Sequence, residues 1–148
     1  MKRFIVGTAA LALVAVIAAS AQARNVMLIL PIATALEAKD VPDRPTGAVK
    51  FFFADQATPA IQTRLGSYVA TPRTGAAGKS DVQACNEALL WTLVALEKRA
   101  QQAGANAVVG IVSFYQKKEM SSATQFECHV GNVIVSVALK GELVKLAE

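Results

Sequence analysis

Three groups of residues carry side chains with chemistry to offer. Gly78-Lys79-Ser80, at the end of "RTGAAGKS", are the letters that close a phosphate-binding loop. Cys85 and Cys128 are the two cysteines, and Glu127-Cys128-His129 sets a carboxylate, a thiol and the single imidazole side by side. A phosphate loop of the GxxxxGK[ST] type needs its first glycine so that successive N–H groups can turn toward the phosphates. Five residues before Gly78 stands Arg73, and the glycine present is Gly75, so the spacing fails. Magnesium-assisted hydrolysis also needs an acidic residue at the end of a buried strand, and neither "AVVGIVSFY" nor "VIVSVALK" supplies one. The same residues have a structural reading: Ser80 is a helix N-cap and Gln83 completes a capping box. Anion binding at that helix start stays open.

Cysteine and histidine are ligands for zinc or copper, and a histidine can activate a thiol. Adjacent strand residues point to opposite faces, however, so Cys128 and His129 do not converge on one ion. Cys85 and Cys128 alone are too few ligands. Ser113, Ser121, Ser122 and Ser136 lack a triad context, and Asp81 and Glu87 read as charges that suit a helix start. No catalytic, cofactor-binding or metal-binding residue is assigned.

The elements that would position these groups follow from periodicity. Val82, Cys85, Leu89, Leu93, Leu96 and Ala100 recur at steps of three and four, which predicts a helix over 81–103 closed by Gly104. Leu90, Trp91 and Val94 fall outside that stripe, so a second layer or a partner is expected over another face. "ANAVVGIVSFY" reads as a central strand buried on both faces. In "QFECHVGNVIVSVALKGELVKL" the apolar parity flips at Gly131-Asn132; a β-bulge is the preferred reading and a hairpin turn the competing one. Toward the N-terminus, Pro31 opens a short helix to about Ala38 and "AVKFFFAD" reads as a strand. "QATPAIQTRLG" reads as irregular or briefly helical, "SYVAT" as a weak strand, and much of 59–78 as loop because of its prolines and glycines.

The predicted helix and the strand after it must run antiparallel across a tight turn, and the strand carrying Cys128 reverses again. Both cysteines then lie near the starts of parallel elements, on apolar faces at one end of the fold, so a Cys85–Cys128 disulfide is expected. Free or metal-binding thiols are the alternative. The compartment supports a bridge. Lys2 and Arg3 precede an uncharged apolar run from Phe4 to Ala19 and an Ala21-x-Ala23 pattern, which reads as a secretory signal peptide over 1–23. The run is too short for a membrane span, so no stable span is expected after cleavage. Residues 24–148 then form one α+β domain, expected to place the long helix on a mixed or antiparallel sheet of about four strands. Removing Lys2 and Arg3 from the 15 basic residues leaves 13 against 11 acidic ones. That balance, with the basic residues scattered, lacks the electrostatic footprint of a nucleic-acid binder.

Over "DVQACNEALLWTLVALEKRAQQAGANAVVGIVSFYQ" and "FECHVGNVIVSVALKGELVKL" the chain resembles a family of small exported proteobacterial proteins that carry the label excinuclease ATPase subunit. That resemblance includes Cys85, the Gly104-Ala105-Asn106-Ala107 turn and Cys128-His129, and its label implies a nucleotide-dependent DNA-repair protein. More distantly, the helix and the "GANAVV" turn resemble the YbjQ-type domain and the lipoprotein sensor of the Rcs envelope stress pathway, which implies a helix on a small sheet and a binding role in the envelope. The preferred expectation is a non-enzymatic periplasmic or secreted protein, without a cofactor, that binds an envelope protein or ligand. A metal or thiol-redox module at Cys85 and Cys128, and a nucleotide-binding protein using Lys79, are the alternatives.

Overall fold

The computed structural model describes residues 23–148, so the signal-peptide reading of 1–23 lies outside the described residues apart from Ala23. In chain order the elements are β1 (Val26–Pro31), α1 (Ile32–Glu37), β2 (Lys50–Phe53), β3 (Ile61–Ala70), β4 (Arg73–Gly75), α2 (Asp81–Gln102), β5 (Ala107–Ser113), β6 (Gln125–Val130), β7 (Ile134–Ser136) and β8 (Leu139–Leu146). They make an α+β fold with two four-stranded sheets rather than one. The first, ordered β1-β6-β7-β4, is antiparallel; the second, β2-β5-β8-β3, is mixed because β2 runs parallel to β5.

The sheets are linked by two stretches of chain that pass through both. β3 continues into β4 past Thr71-Pro72, and β7 continues into β8 past Val137-Ala138. These stretches pair with each other on either side of the corner, so the two sheets meet there. In the first sheet the alternation is strict. Val26, Leu28 and Leu30 of β1 join Phe126, Cys128, Val130 and Val135 in the core, while Met27, Ile29, Glu127, His129, Ile134 and Ser136 lie on the outer face. Pro31 ends β1 on a sheet edge, where its missing N–H is harmless, and leads directly into α1.

α2 occupies the space between the sheets. Cys85, Leu89, Leu93 and Leu96 pack with Phe126 and Val135 of the first sheet and with Val108, Ile111, Leu139 and Leu143 of the second. α1 and the segment 38–49 cover part of its remaining surface, where buried Glu97 accepts hydrogen bonds from the Thr46 N–H at 3.0 Å, while Val82, Lys98, Arg99 and Gln101 stay exposed. The second apolar stripe therefore has a covering layer from within this chain: Leu90 is fully buried and Trp91 half-buried. The second sheet is apolar on its outer face too, where Ala107, Val109, Val144 and Leu146 cluster with Phe52 and Ile61. β5 is thus buried on both faces, as its unbroken apolar run implies.

Two local expectations are corrected. The parity flip at Gly131-Asn132 is a hairpin, not a bulge: β6 and β7 pair antiparallel through Val130↔Val135, and the Gly131 N–H donates to the Ile134 carbonyl at 2.8 Å. A reversal restores the inward parity as well as a bulge does, so alternation alone cannot separate them. The segment "IQTRLG" is extended, not helical or irregular, and belongs to the ten-residue strand β3. β3 is an edge strand exposed along most of its length, so it carries no apolar alternation to reveal it, and Gly66, at φ +104°, sits within its bulge.

Candidate functional site

The Gly78-Lys79-Ser80 loop is closed on itself. The Ala76 N–H donates to the Val133 carbonyl at 3.0 Å and the Lys79 N–H to the Ala76 carbonyl at 3.3 Å. The Ser80 N–H donates to Gln83 Oε1 at 3.1 Å, and the Gln83 N–H donates to Ser80 Oγ at 3.2 Å, which completes the capping box. Gly78 takes a left-handed φ of +75° to make the turn. Lys79 is paired with Glu87, and Asp81 with Arg24. The Ala76, Lys79, Ser80 and Gln83 amides are thus already bonded, and Lys79 faces a carboxylate.

Cys85 and Cys128 form a disulfide with Cα atoms 5.9 Å apart, both fully buried, joining the second turn of α2 to β6. Neither Sγ is available to a metal in this form. His129, one residue on, lies on the opposite face of β6, as strand geometry requires.

That outer face holds the arrangement with most to offer a ligand. Strand register aligns Met27 of β1, His129 of β6, Ser136 of β7 and Arg73 of β4 in one row across the sheet. The Tyr115 ring stacks on His129, with centroids 3.5 Å apart and planes at 11°. His129 Nε2 is hydrogen-bonded to Glu127 Oε1 at 2.5 Å, two residues back on the same face. Nδ1 is buried and has no hydrogen-bond partner among the described residues. Glu127 is itself placed by its N–H, which donates to Ser113 Oγ at 3.0 Å. The segment bearing Tyr115 is fixed at one end by the Phe114 N–H, which donates to the Ala138 carbonyl at 2.8 Å. It then turns through left-handed φ values at Gln116 (+50°) and Lys117 (+63°).

Arg73, Phe114, Tyr115, His129 and Ser136 line an open groove of about 460 Å³ at the corner where the two sheets meet, and Glu127 lies outside its lining. Arg24 and Arg73 supply cationic side chains; Asn25, Thr71, Gln116 and Ser136 supply amides and hydroxyls; Phe114, Tyr115 and His129 supply ring faces. Among the described residues no Asp or Glu lines the groove. Arg24 is held by Asp81, whereas Arg73 has no carboxylate partner among the described residues. The groove is thus electropositive, with a flat aromatic wall and donor groups around it.

No protein-family model, curated protein or solved structure matches this chain. The function has to be argued from the site. Sequence reasoning placed Cys85, Cys128 and Ser80, and parity placed His129 away from Cys128. It missed Arg73 and Tyr115 as site residues. Arg73 stood out only as the residue that spoils a phosphate loop. Tyr115 lies at the end of an apolar run, and nothing local says which histidine face it will cover.

Proposed function

We propose that this chain is a non-enzymatic protein of the cell envelope, periplasmic or secreted, that binds another envelope component through the outer face of the first sheet. The observation that supports this reading is the presence of exposed apolar side chains on that face and at its rim. Met27, 58% exposed, and Ile29 lie on β1, Ile134 lies on β7 across β6, and Val133, 71% exposed, lies in the β6–β7 turn. α2 packs on the other side of the sheet, and on this side the short turn at Tyr115–Lys117 lays Tyr115 over His129. Apolar side chains bordered by tyrosine and arginine have the composition of a contact surface. The disulfide suits an oxidising compartment. Among the described residues no helix is long and apolar enough to cross a membrane.

A photo-reactive residue placed at Met27 or Val133 in the native host is expected to yield discrete crosslinked species. The same residue at Gln101, exposed near the C-terminal end of α2, is expected to yield none. Equal labelling at all three positions, or none at any, would remove the reading. It also predicts that Lys79→Ala responds to ATP with Mg²⁺ as the wild-type protein does, because Lys79 is paired with Glu87 and lies outside the groove. A nucleotide-dependent rise in Tm that is lost in Lys79→Ala would favour the nucleotide-binding alternative.

A further inference from the structure

We infer that the groove at the sheet corner is a binding site for a small organic anion, with its oxyanion head on Arg73 and its flat body against Tyr115. The inference rests on the outer face of the first sheet being the binding face, and it names the chemistry of what one part of that face receives.

The charge comes first. Two arginines and no carboxylate line the groove among the described residues, and only one of the two is neutralised, through Asp81. A guanidinium held beside hydroxyl and amide donors matches a carboxylate or a phosphate, which accepts several hydrogen bonds in one plane. Ser136 lies beside Arg73 in the strand register, and Thr71 precedes the same strand, so donors flank the guanidinium on neighbouring strands and on its own chain. The volume of about 460 Å³ falls in the range of small-molecule sites, well above what a bare ion fills.

The aromatic wall supplies the second argument. Tyr115 is kept on His129 by two successive non-glycine residues with left-handed φ, Gln116 and Lys117. Each such residue costs roughly 1 kcal/mol relative to an ordinary turn, and such outliers gather at ligand clamps. A simple connection between β5 and β6 does not need this conformation. What it achieves is to lay a ring over the imidazole at the edge of an electropositive groove. A ligand with an aromatic or otherwise flat body can lie against that wall while its head reaches Arg73.

The test uses purified, disulfide-bonded protein titrated with benzoate, phenyl phosphate and inorganic phosphate, followed by two-dimensional NMR and calorimetry. At least one of the two aromatic anions should shift the amide signals of Arg73, Tyr115 and His129 saturably, and the tighter one identifies the head group. Arg73→Ala should weaken that binding by about tenfold, the loss expected for one charge-assisted contact. Arg64→Ala, which removes an exposed arginine paired with Glu142 on the other sheet, should leave it unchanged. Tyr115→Leu keeps an apolar side chain but removes the ring, and should weaken phenyl phosphate while sparing inorganic phosphate. No saturable shift at the groove, or full affinity in Arg73→Ala, would overturn the site. Equal binding of phenyl phosphate and inorganic phosphate, unaffected by Tyr115→Leu, would overturn the organic-anion assignment. Crosslinks at Met27 without anion binding would sink this inference while the docking reading stands; anion binding without crosslinks would do the reverse.

Discussion

Ser80 and Glu97 hold α2 by the same kind of bond at opposite levels of visibility. Ser80 accepts the Gln83 N–H, and Gln83 accepts the Ser80 N–H, so both partners lie within four residues and the arrangement can be read from the sequence. Ser80→Ala is expected to lower unfolding free energy by about 1 kcal/mol and Ser80→Gly by a few tenths, measured by urea denaturation. Glu97 is 4% exposed, and its carboxylate receives the N–H and hydroxyl of Thr46, 51 positions away, with no basic partner among the described residues. Nothing near Glu97 in sequence distinguishes it from a solvated helix glutamate. Glu97→Gln replaces one acceptor oxygen with a donor facing the Thr46 N–H, so it should destabilise by about 2 kcal/mol. Loosening of the 38–49 segment should appear as faster amide exchange there than in β8. A residue's role was readable here when its partner was local, and hidden when a distant loop supplied it. The same division explains why Cys85 was placed and Arg73 was not: the cysteines have one possible partner each, whereas an arginine's surroundings depend on how two sheets meet.

Among the elements, α2 and β5 were read closely because each has a strong period or an unbroken apolar run over many residues. β3 and the β6–β7 hairpin were misread because their evidence lies in pairing. The bending of the second sheet has the same character. β3 and β5 are both bulged, at Arg64/Ser67 and Val109/Val112, and both bulges face the same stretch of β8 around Gly141. Gly110 takes a φ of +60° to make its bulge. At Gly141 the requirement is close approach instead: a Cβ there would lie 2.4 Å from Val108 Cγ1 and 3.2 Å from Ile111 Cγ1. Both neighbours are fully buried against α2, so neither can swing into solvent. Gly141→Ala should therefore destabilise by about 1–3 kcal/mol. Trimming the neighbour with Val108→Ala should restore part of that loss, giving a favourable coupling in a double-mutant cycle. A fully tolerated Gly141→Ala would show that the strand can shift away from β5, and that the glycine marks only the bend.

For the whole molecule, the disulfide and the outer face of the first sheet belong to one argument. β6 carries Cys128 on its inner side and Glu127 and His129 on its outer side, so the bridge to α2 fixes the strand on which the groove's aromatic wall rests. The cysteines are 43 positions apart, and closing a loop of that size removes chain entropy worth about 4 kcal/mol from the unfolded state. That is a large part of the roughly 5–15 kcal/mol by which a domain is stable. Replacing both cysteines by alanine should thus move the urea midpoint down by about 2 M, taking a slope of about 2 kcal/mol per M. The native α+β signal should persist in the absence of denaturant, since the helix and both sheets share an extensive apolar core. The outer face should respond more sharply than the global fold. Without the bridge, β6 is held to α2 only by packing, and exchange of the Glu127 and His129 amides should accelerate more than that of Val108 in β5. Uniform acceleration across both sheets would mean that the disulfide acts through the unfolded chain alone. Selective acceleration in β6 would mean that forming the disulfide also sets the shape of the outer face of the first sheet.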